Sequence, residues 1–457
     1  MTDVQSLGSS GADDKAEARS WRGFARSMRD NGLHAFPPEA FEEDVVFRKF
    51  LGRRQIIMSR PAGIQHILVD NPGNYRRTPA GIRILRPLLG NGLLLSQGED
   101  WRQQRRTLAP AFAPRTVPIL AGHVARAAGV AVVDLKASCA TPVDLLAAMQ
   151  FLALEIAGAS MFSVEMERYG TELRGLITGF AANLGRPRLL DFVLPLSLPS
   201  PHDLLRRRFR RRWLNLIQRI IAERRVQDST GAPRDLFDLM ANATDPESGA
   251  MFQPDKLADQ VATMIVAGHE TTAVALFWSL YLLAGAPTVQ QRLAAEIAGL
   301  DLGPDNAADA LPTLVYTRAV VQEAIRLYPP AFTLARLATG ADTAGGVAIL
   351  PGTVVLIAPW VVHRHRRLWP QPEIFDPARF LPGGPVPERY AYLPFGAGPR
   401  VCIGAQFALT EAVLVLATLI QTFQITRADD IPVTPRAIVT TQPDHPPPFS
   451  LKLRSPA

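Results

Sequence analysis

The sequence is poor in cysteine, which limits the chemistry that the chain can support. Its 457 residues include only two cysteines, Cys139 and Cys402, and they lie far apart in the chain. Two separated cysteines cannot build a disulfide scaffold, a zinc ribbon or a cysteine-ligated iron–sulfur cluster. One cysteine alone can still act as a nucleophile or as the ligand of a metal centre.

The sequence also lacks a strong charge of either sign and an apolar leader. It has 49 Lys and Arg against 42 Asp and Glu, a net charge of +7, which is far from the composition of a nucleic-acid-binding protein. Residues 1–20 are polar and include acids. We therefore expect a disordered N-terminal tail there and one large domain over residues 21–457. We also expect a cytoplasmic protein with no integral membrane association.

Long apolar runs are rare, and the longest is interrupted. Residues 261–284 are apolar except for the sequence His269-Glu270-Thr271-Thr272 near the centre. An acid at the centre of a bilayer is costly, so we predict a long helix through the middle of a soluble protein. Hydrophobic residues make up 47% of the chain, which is enough for a large core.

Apolar periodicity predicts a mainly helical protein with a small β-sheet region, an α+β fold. Helical patterns cover about residues 101–330 and 403–422, and β-rich segments lie at about 45–60 and 333–360. Residues 347–350 and 353–357, joined by Pro351-Gly352, are predicted to form a hairpin. Residues 189–199 are apolar and punctuated by proline, which predicts a loop between helices.

A glycine-rich loop surrounds the second cysteine. Residues 394–404 read PFGAGPRVCIG and directly precede an apolar helix. Glycines allow a positive φ and let a flat group approach the backbone, and a helix N-terminus favours a thiolate over a thiol. An inert cysteine before a capped helix is the alternative interpretation. A thiolate in this setting suits a metal centre that faces a large planar cofactor.

This loop resembles the cysteine-ligand loop of the cytochrome P450 family, F-G-x-G-x-R-x-C-x-G. All six fixed positions match: Phe395, Gly396, Gly398, Arg400, Cys402 and Gly404. The resemblance implies a cytochrome P450 fold that binds haem b, with Cys402 as the thiolate ligand of the iron and Arg400 at a haem propionate. Phe395 would pack beside the sulfur, and Gly404 would complete the cofactor-binding loop.

The interruption of the central apolar segment is a second motif. In residues 267–272, AGHETT, a helical glycine costs about 1 kcal/mol relative to alanine, and a buried acid needs a partner. A hydroxyl at Thr271 can bond back to the carbonyl of Ala267 and loosen the helix. These features fit a buried polar patch as well as a ligand site.

The hexapeptide resembles the family's oxygen-binding motif, [AG]-G-x-[DE]-T-[TS]. The resemblance implies catalytic roles: Thr271 hydrogen-bonds dioxygen, and Glu270 helps to deliver protons.

Two charged segments resemble paired motifs of the same family. Glu323 and Arg326 lie three residues apart on a predicted helix, a spacing that usually gives a surface ion pair of little value. Residues 375–380, FDPARF, contain Arg379. The resemblance implies that Glu323, Arg326 and Arg379 form one buried structural network that supports cofactor incorporation.

Further basic residues match positions that hold haem propionates in the family. Trp101 and Arg105 are four residues apart, so an indole and a guanidinium share one helix face that could hold a carboxylate. Arg336 occupies the position of another propionate arginine, and an exposed strand residue is the alternative interpretation. The resemblance implies that Trp101, Arg105 and Arg336 all bind the cofactor.

The resemblance implies a haem-thiolate monooxygenase, an oxidoreductase that inserts one atom of O2 into a lipophilic substrate by hydroxylation or epoxidation. The segment Gly90-Asn91-Gly92 lacks the third glycine of a dinucleotide fingerprint, so electrons from NAD(P)H are expected through a separate ferredoxin or flavodoxin with its reductase. Arg102 and Arg106 are expected to dock this acidic donor. The alternatives are a peroxygenase, a haem-thiolate isomerase or dehydratase, and a non-catalytic haem sensor or electron-transfer protein.

The expected substrate pocket is apolar. Residues 79–95, 189–198, 262–271 and 331–334 are its predicted walls, and their composition favours a lipophilic small molecule. Arg83 or Arg86 could meet a substrate carboxylate, although a solvent-facing arginine is the commoner case. The arginine run at residues 206–212 is predicted to be a solvated helix face.

Overall fold

The computed structural model describes residues 30–162, 168–226 and 235–454. The predicted N-terminal tail lies outside the described residues. The helices are α1 (Pro61–Gln65), α2 (Pro79–Leu89), α3 (Gly98–Leu108), α4 (Val117–Ser138), α5 (Leu145–Phe162), α6 (Gly170–Gly179), α7 (Leu189–Val193), α8 (Pro201–Val226), α9 (Leu236–Ala241), α10 (Pro254–Ala284), α11 (Pro287–Ile297), α12 (Ala307–Ala310), α13 (Val315–Leu327), α14 (Pro359–Val362) and α15 (Ala405–Thr422). The strands are β1 (Val45–Phe50), β2 (Arg53–Met58), β3 (Tyr75–Arg77), β4 (Val143–Asp144), β5 (Leu334–Ala338), β6 (Asp342–Ala344), β7 (Val347–Ile349), β8 (Val354–Ile357), β9 (Phe423–Arg427), β10 (Pro435–Ala437), β11 (Thr441–Pro443) and β12 (Pro448–Leu453).

The strands form small sheets beside a helical body, as the predicted fold class requires. The largest sheet has the strand order β1-β2-β8-β5-β3, in which only β2 and β8 run parallel. A second sheet has the order β4-β12-β9, and β6-β7 and β10-β11 are two-stranded. The largest sheet therefore joins an early and a late part of the sequence.

The predicted hairpin at residues 347–357 is wrong. The turn at Pro351-Gly352 exists, with the amide of Thr353 donating to the carbonyl of Leu350, but the strands on its two sides have different partners. β7 pairs with β6, whereas β8 lies between β2 and β5. The sequence predicts the turn correctly, but the turn residues do not indicate which distant strand pairs with each side.

Helix α10 forms the centre of the molecule. It begins at Pro254, where proline occupies the first turn, and stays helical through residues 267–272 without the predicted loosening. By length and composition, three helical stretches of the described residues could cross a membrane: Pro114–Ser138, Pro254–Ala284 and Ala405–Thr422. In the fold, 72% of the most apolar part of the second stretch is buried, so α10 supplies core.

Two surface predictions around α8 need correction. Residues 189–199 are not all loop, because 189–193 form the short helix α7. The arginine run is not all solvated either. Arg206 is 1% exposed and Arg210 pairs with Asp259, while Arg207, Arg208, Arg211 and Arg212 are exposed. A helix with one buried face must bury some members of a continuous charge run.

Candidate active site

The cysteine loop is held in a conformation that only glycine adopts easily. Gly396 and Gly398 have φ angles of +74° and +71°. A Cβ atom on Gly398 would overlap the carbonyl oxygen of Leu68, so the loop lies directly against that backbone. The amide of Cys402 donates to the carbonyl of Phe395 at 2.9 Å. The loop thus fixes the cysteine just before α15 begins.

The environment of Cys402 combines an accessible surface with closely packed surrounding protein. The residue is accessible to water, yet protein surrounds the thiol closely enough that burial raises its pKa. The amide of Gly404 and the charge of Arg105 lower that pKa, and they do not outweigh burial. The helix-end effect predicted from the sequence is therefore present but not dominant, and a thiolate here needs a further positive partner at sulfur.

Three arginines gather beside this loop. Arg77 on β3 and Arg336 on β5 are paired in the strand register, and Arg400 comes from the cysteine loop. Burial, then repulsion from Arg336 and Arg400, lowers the pKa of Arg77 to about 9. Burial and Arg336 lower the pKa of Arg400 to about 10, and burial lowers that of Arg336.

No carboxylate compensates this arginine cluster. Within the described part of the chain, none of the three forms an ion pair with Asp or Glu, and Nε of Arg77 and Nη1 of Arg400 are buried without a hydrogen-bond partner. Such a cluster is costly unless an anion completes it. Sequence reasoning missed Arg77, because its only signal is the pairing of β3 with β5.

Helix α3 is attached to the same loop. The guanidinium of Arg400 lies 4.4 Å from the ring centroid of Trp101, and Arg105 donates to the carbonyl of Val401 at 2.9 Å. The structure therefore brings Trp101, Arg105, Arg336, Arg400 and Cys402 into one neighbourhood. Arg336 is 7% exposed, so the alternative of an exposed strand residue is wrong.

The side chains of the motif in α10 lie in two different environments. Residues 266–268 and Thr271 are accessible although residues before and after them are buried. Thr271 Oγ1 donates to the carbonyl of Ala267 at 2.5 Å, as predicted. Glu270 instead points toward β11, where it accepts from Thr440 at 3.2 Å and from Gln442, and burial raises its pKa.

The predicted charged network is assembled. Arg326 donates Nε to Glu323 Oε2 at 2.6 Å and Nη2 to Oε1 at 2.8 Å, and both residues are 0% exposed. Arg379 Nε lies 3.5 Å from Glu323 Oε1 and Nη2 donates to the carbonyl of Gln371. Arg326 also donates to carbonyls of His363, Pro372 and Ile374, so the network holds the segment before the cysteine loop.

A cavity of about 360 Å³ lies next to the arginine cluster, and Arg77 is on its wall. Parts of the predicted segments 79–95, 189–198 and 331–334 line it, together with β-strand residues such as Leu337 and Leu356. Residues 262–271 do not line this cavity, contrary to the prediction. Val266 and Ile403 pack on the same hydrophobic cluster, which connects α10 with the cysteine loop.

The two arginines expected to dock an acidic partner are already paired. Arg102 contacts Glu99 at 2.9 Å, and both side chains are largely exposed. Arg106 contacts Asp245 at 3.2 Å, Glu247 at 2.9 Å and Glu99 at 3.4 Å. The chain's own acids therefore neutralise Arg106, and Arg102 is the more available of the two.

Comparison with known proteins places these features in a family. The sequence model of the family "Cytochrome P450" matches residues 24–451. The chain is 34% identical over 342 residues to cyclooctat-9-en-7-ol 5-monooxygenase of Streptomyces melanosporofaciens, covering 73% of this chain and 72% of that protein. It is 31% identical to pentalenene oxygenase of Streptomyces avermitilis, covering 80% and 81%.

Solved structures agree with the sequence matches. The haem domain of cytochrome P450DA superposes with a TM-score of 0.77 at 25% identity and covers 90% of both chains. Members of this family bind haem b and use O2 with electrons that originate from NAD(P)H and arrive through redox partners. The chain therefore belongs to the cytochrome P450 family and is an oxidoreductase of the monooxygenase type.

Proposed function

We propose that this chain is a haem-thiolate monooxygenase in which Cys402 is the iron ligand and residues 21–457 form one haem domain. The observation that carries the proposal is the arginine cluster of Arg77, Arg336 and Arg400, which has no Asp or Glu partner among the described residues and lies beside the Cys402 loop. Haem b has two propionate carboxylates, and two carboxylates are what such a cluster needs. The residues present therefore fit the cofactor.

Each part of the site has a distinct task in this proposal. When bound, haem with a thiolate ligand supplies the activation of O2. Arg77, Arg336 and Arg400, with Trp101 and Arg105 behind them, hold the propionates. Gly396 and Gly398 would let the flat cofactor approach the loop backbone closely. Phe395 and Gly404 would form the rest of the loop around the sulfur. Glu323, Arg326 and Arg379 keep the segment before this loop in place.

Thr271 and Glu270 would hold and deliver protons to a ligand at the bound cofactor. The Thr271 hydroxyl is accessible and holds its proton toward the Ala267 carbonyl, from which it can turn to a ligand in the site. Burial raises the pKa of Glu270, which favours the protonated carboxyl that a proton donor needs. Because Glu270 is bonded to Thr440 and Gln442, delivery requires its side chain to rotate away from β11.

The substrate in this proposal is a lipophilic small molecule with few polar groups. The cavity wall is largely apolar, with Leu85, Leu95 and Phe332 among its residues. Two relatives are named for an alkenol and an alkene, which agrees with a hydrocarbon-like substrate. Arg83 is not free to bind a substrate carboxylate, because its guanidinium is engaged with Leu194, Leu198 and Asp203.

The electron donor in this proposal is a separate ferredoxin or flavodoxin, and the enzyme is cytoplasmic without integral membrane association. Burial of 72% of the most apolar part of α10 supports a core role for that helix rather than a membrane span. Arg102 is the docking candidate, since its exposed ion pair with Glu99 is weak enough to exchange for a partner's acid. Charge reversal at Arg102 should slow reduction most at low salt.

The carbonyl spectrum of the reduced holoenzyme tests the central claim. Thiolate ligation shifts the Soret band of the carbonyl adduct to a position that histidine ligation does not give. We expect that shifted band in the native protein and its loss in Cys402→His, while Cys139→Ser, which changes the other cysteine, retains it. A histidine-type band in the native protein would overturn the proposal. Oxygen-dependent oxidation of NAD(P)H with generic redox partners then tests turnover.

A further inference from the structure

One wall of the cavity belongs to a segment with little packing of its own. Gly185, Pro187 and Phe192 line the cavity together with Pro79, Ile84 and Leu85 of α2. Beyond Phe192 the chain continues through residues 194–199 into α8. Large apolar side chains along it point outward: Leu189 is 40% exposed, Val193 55% and Leu198 55%. Apart from the edge-to-face contact of Phe192 with Phe50, whose ring centroids are 5.2 Å apart, apolar burial therefore contributes little to fixing this wall.

Arg83 binds this segment from α2. Its side chain is buried, with Nη1 donating to the carbonyl of Leu198 at 3.1 Å and to Asp203 Oδ2 at 2.7 Å. Nη2 donates to the carbonyls of Leu194 at 3.2 Å and Pro195 at 2.5 Å. One guanidinium thus gathers three loop carbonyls and the first turn of α8.

A second buried arginine fixes the rest of the segment. Arg206 donates to both oxygens of Asp191, at 2.6 and 3.0 Å, and to the carbonyl of Leu184 at 3.2 Å. It also donates to Asp203 Oδ1 at 3.2 Å, so Asp203 bridges the two arginines. We call Arg83, Asp191, Asp203 and Arg206 the arginine clasp. Its two positive and two negative charges balance, and Arg83 is its member on α2.

We propose that Arg83 is a specificity-determining residue: it fixes residues 194–203, which continue the cavity wall at residues 185–192, and thereby sets the size of the ligands that enter and the rate at which they leave. The hydrogen bonds of Arg83 hold the segment directly after the wall, and Asp203 links Arg83 to Arg206, which holds the wall itself at Leu184 and Asp191. This inference rests on the proposed function, since it takes the cavity as the substrate site.

The holoenzyme with Arg83→Gln tests the clasp, and Arg86→Gln is the matched control. Arg86 is on the same helix but exposed. Stopped-flow measurements follow the binding of imidazole and of the larger 4-phenylimidazole by the Soret shift. We expect Arg83→Gln to release 4-phenylimidazole about tenfold faster and imidazole less so, because several charge-assisted hydrogen bonds are lost. Arg86→Gln should match the native protein. Equal release rates in both variants would refute the proposal.

Hydrogen exchange separates this inference from the identity of the iron ligand. Amides of residues 185–200 should exchange faster in Arg83→Gln, and those of α15 should not. This readout does not depend on the carbonyl spectrum, so either claim can fail alone.

If Arg83→Gln does not fold, Arg83→Lys and Asp203→Asn serve instead. Lysine has a single ammonium nitrogen and cannot reach all three loop carbonyls and Asp203 together, so exchange should again rise. Unchanged exchange in both would equally refute the clasp.

Discussion

A single arginine should affect the apo-protein and the haem-loaded protein in opposite directions. Burial and two neighbouring arginines disfavour the charge of Arg77, so Arg77→Met should raise the free energy of unfolding of the apo-protein by about 1 kcal/mol or more. The same change removes a charge-assisted bond to a propionate, worth about 1.5–3 kcal/mol, so haem transfer to apomyoglobin should become roughly 10- to 100-fold faster. Urea unfolding and haem-transfer kinetics measure the two effects.

Arg76 provides the control for this prediction. It lies on the same strand but is exposed, so Arg76→Met should leave both measurements near the native values. A loss of apo-protein stability in Arg77→Met would show that the protein itself compensates the charge of Arg77. The arginine cluster would then no longer indicate a propionate site.

The hydroxyl of Thr271 is expected to couple electron consumption to product formation. It is the accessible donor of the motif in α10, and its hydroxyl now donates to the carbonyl of Ala267 in its own helix, from which it can turn to a ligand. Thr271→Ala should keep consuming NAD(P)H while product falls several-fold and hydrogen peroxide rises. Thr271→Ser retains the hydroxyl and should keep most of the coupling. The ratio of product to NAD(P)H consumed decides, and an unchanged ratio in the alanine variant would reject the role.

The cysteine loop as an element depends on one glycine far more than on another. Gly398→Ala forces a Cβ against the Leu68 carbonyl at a φ of +71°, so we expect a loss of at least about 2 kcal/mol in stability. In Gly404→Ala the Cβ meets Phe112 at 3.9 Å, an ordinary contact at a negative φ. Its apo-protein should unfold within about 1 kcal/mol of the native protein. Similar losses in both variants would show that steric fit to Leu68 is unimportant.

Local signals predicted the elements better than their partners. The Cys402 loop and α10 follow from residues that are adjacent in the sequence, so their positions could be predicted. The partner of β8 depends on β2 and β5, which come from distant parts of the chain, and the turn at Pro351-Gly352 carries no information about them. For the same reason, the sequence did not indicate that Arg77 belongs to the site or that Glu270 points toward Gln442 on β11. Both depend on contacts between distant parts of the chain.

The molecule as a whole buries several ionisable groups, and their effects on stability oppose one another. Burial raises the pKa values of Glu270 and Glu411, so the folded state holds protons that the unfolded state releases above about pH 4.5, and these two groups lower stability as the pH rises. Burial lowers the pKa values of His269 and His363 to about 4 and about 3, which has the opposite sign.

His363 gives the clearest measurable part of this balance. Its Nε2 accepts from the amide of Leu393 at 2.8 Å and its Nδ1 lies 3.3 Å from the carbonyl of Arg326, so the neutral ring satisfies both contacts. Above pH 6.5 the ring is neutral in both states and costs nothing. As the pH falls from 6.5 toward 3, only the unfolded chain takes up the proton, so stability falls by about 1.4 kcal/mol per pH unit from this residue. Between pH 6.5 and 4.5, native apo-protein should therefore lose roughly 2–3 kcal/mol that His363→Gln does not lose. Urea midpoints across this range measure the difference, and parallel pH profiles for the two proteins would contradict it.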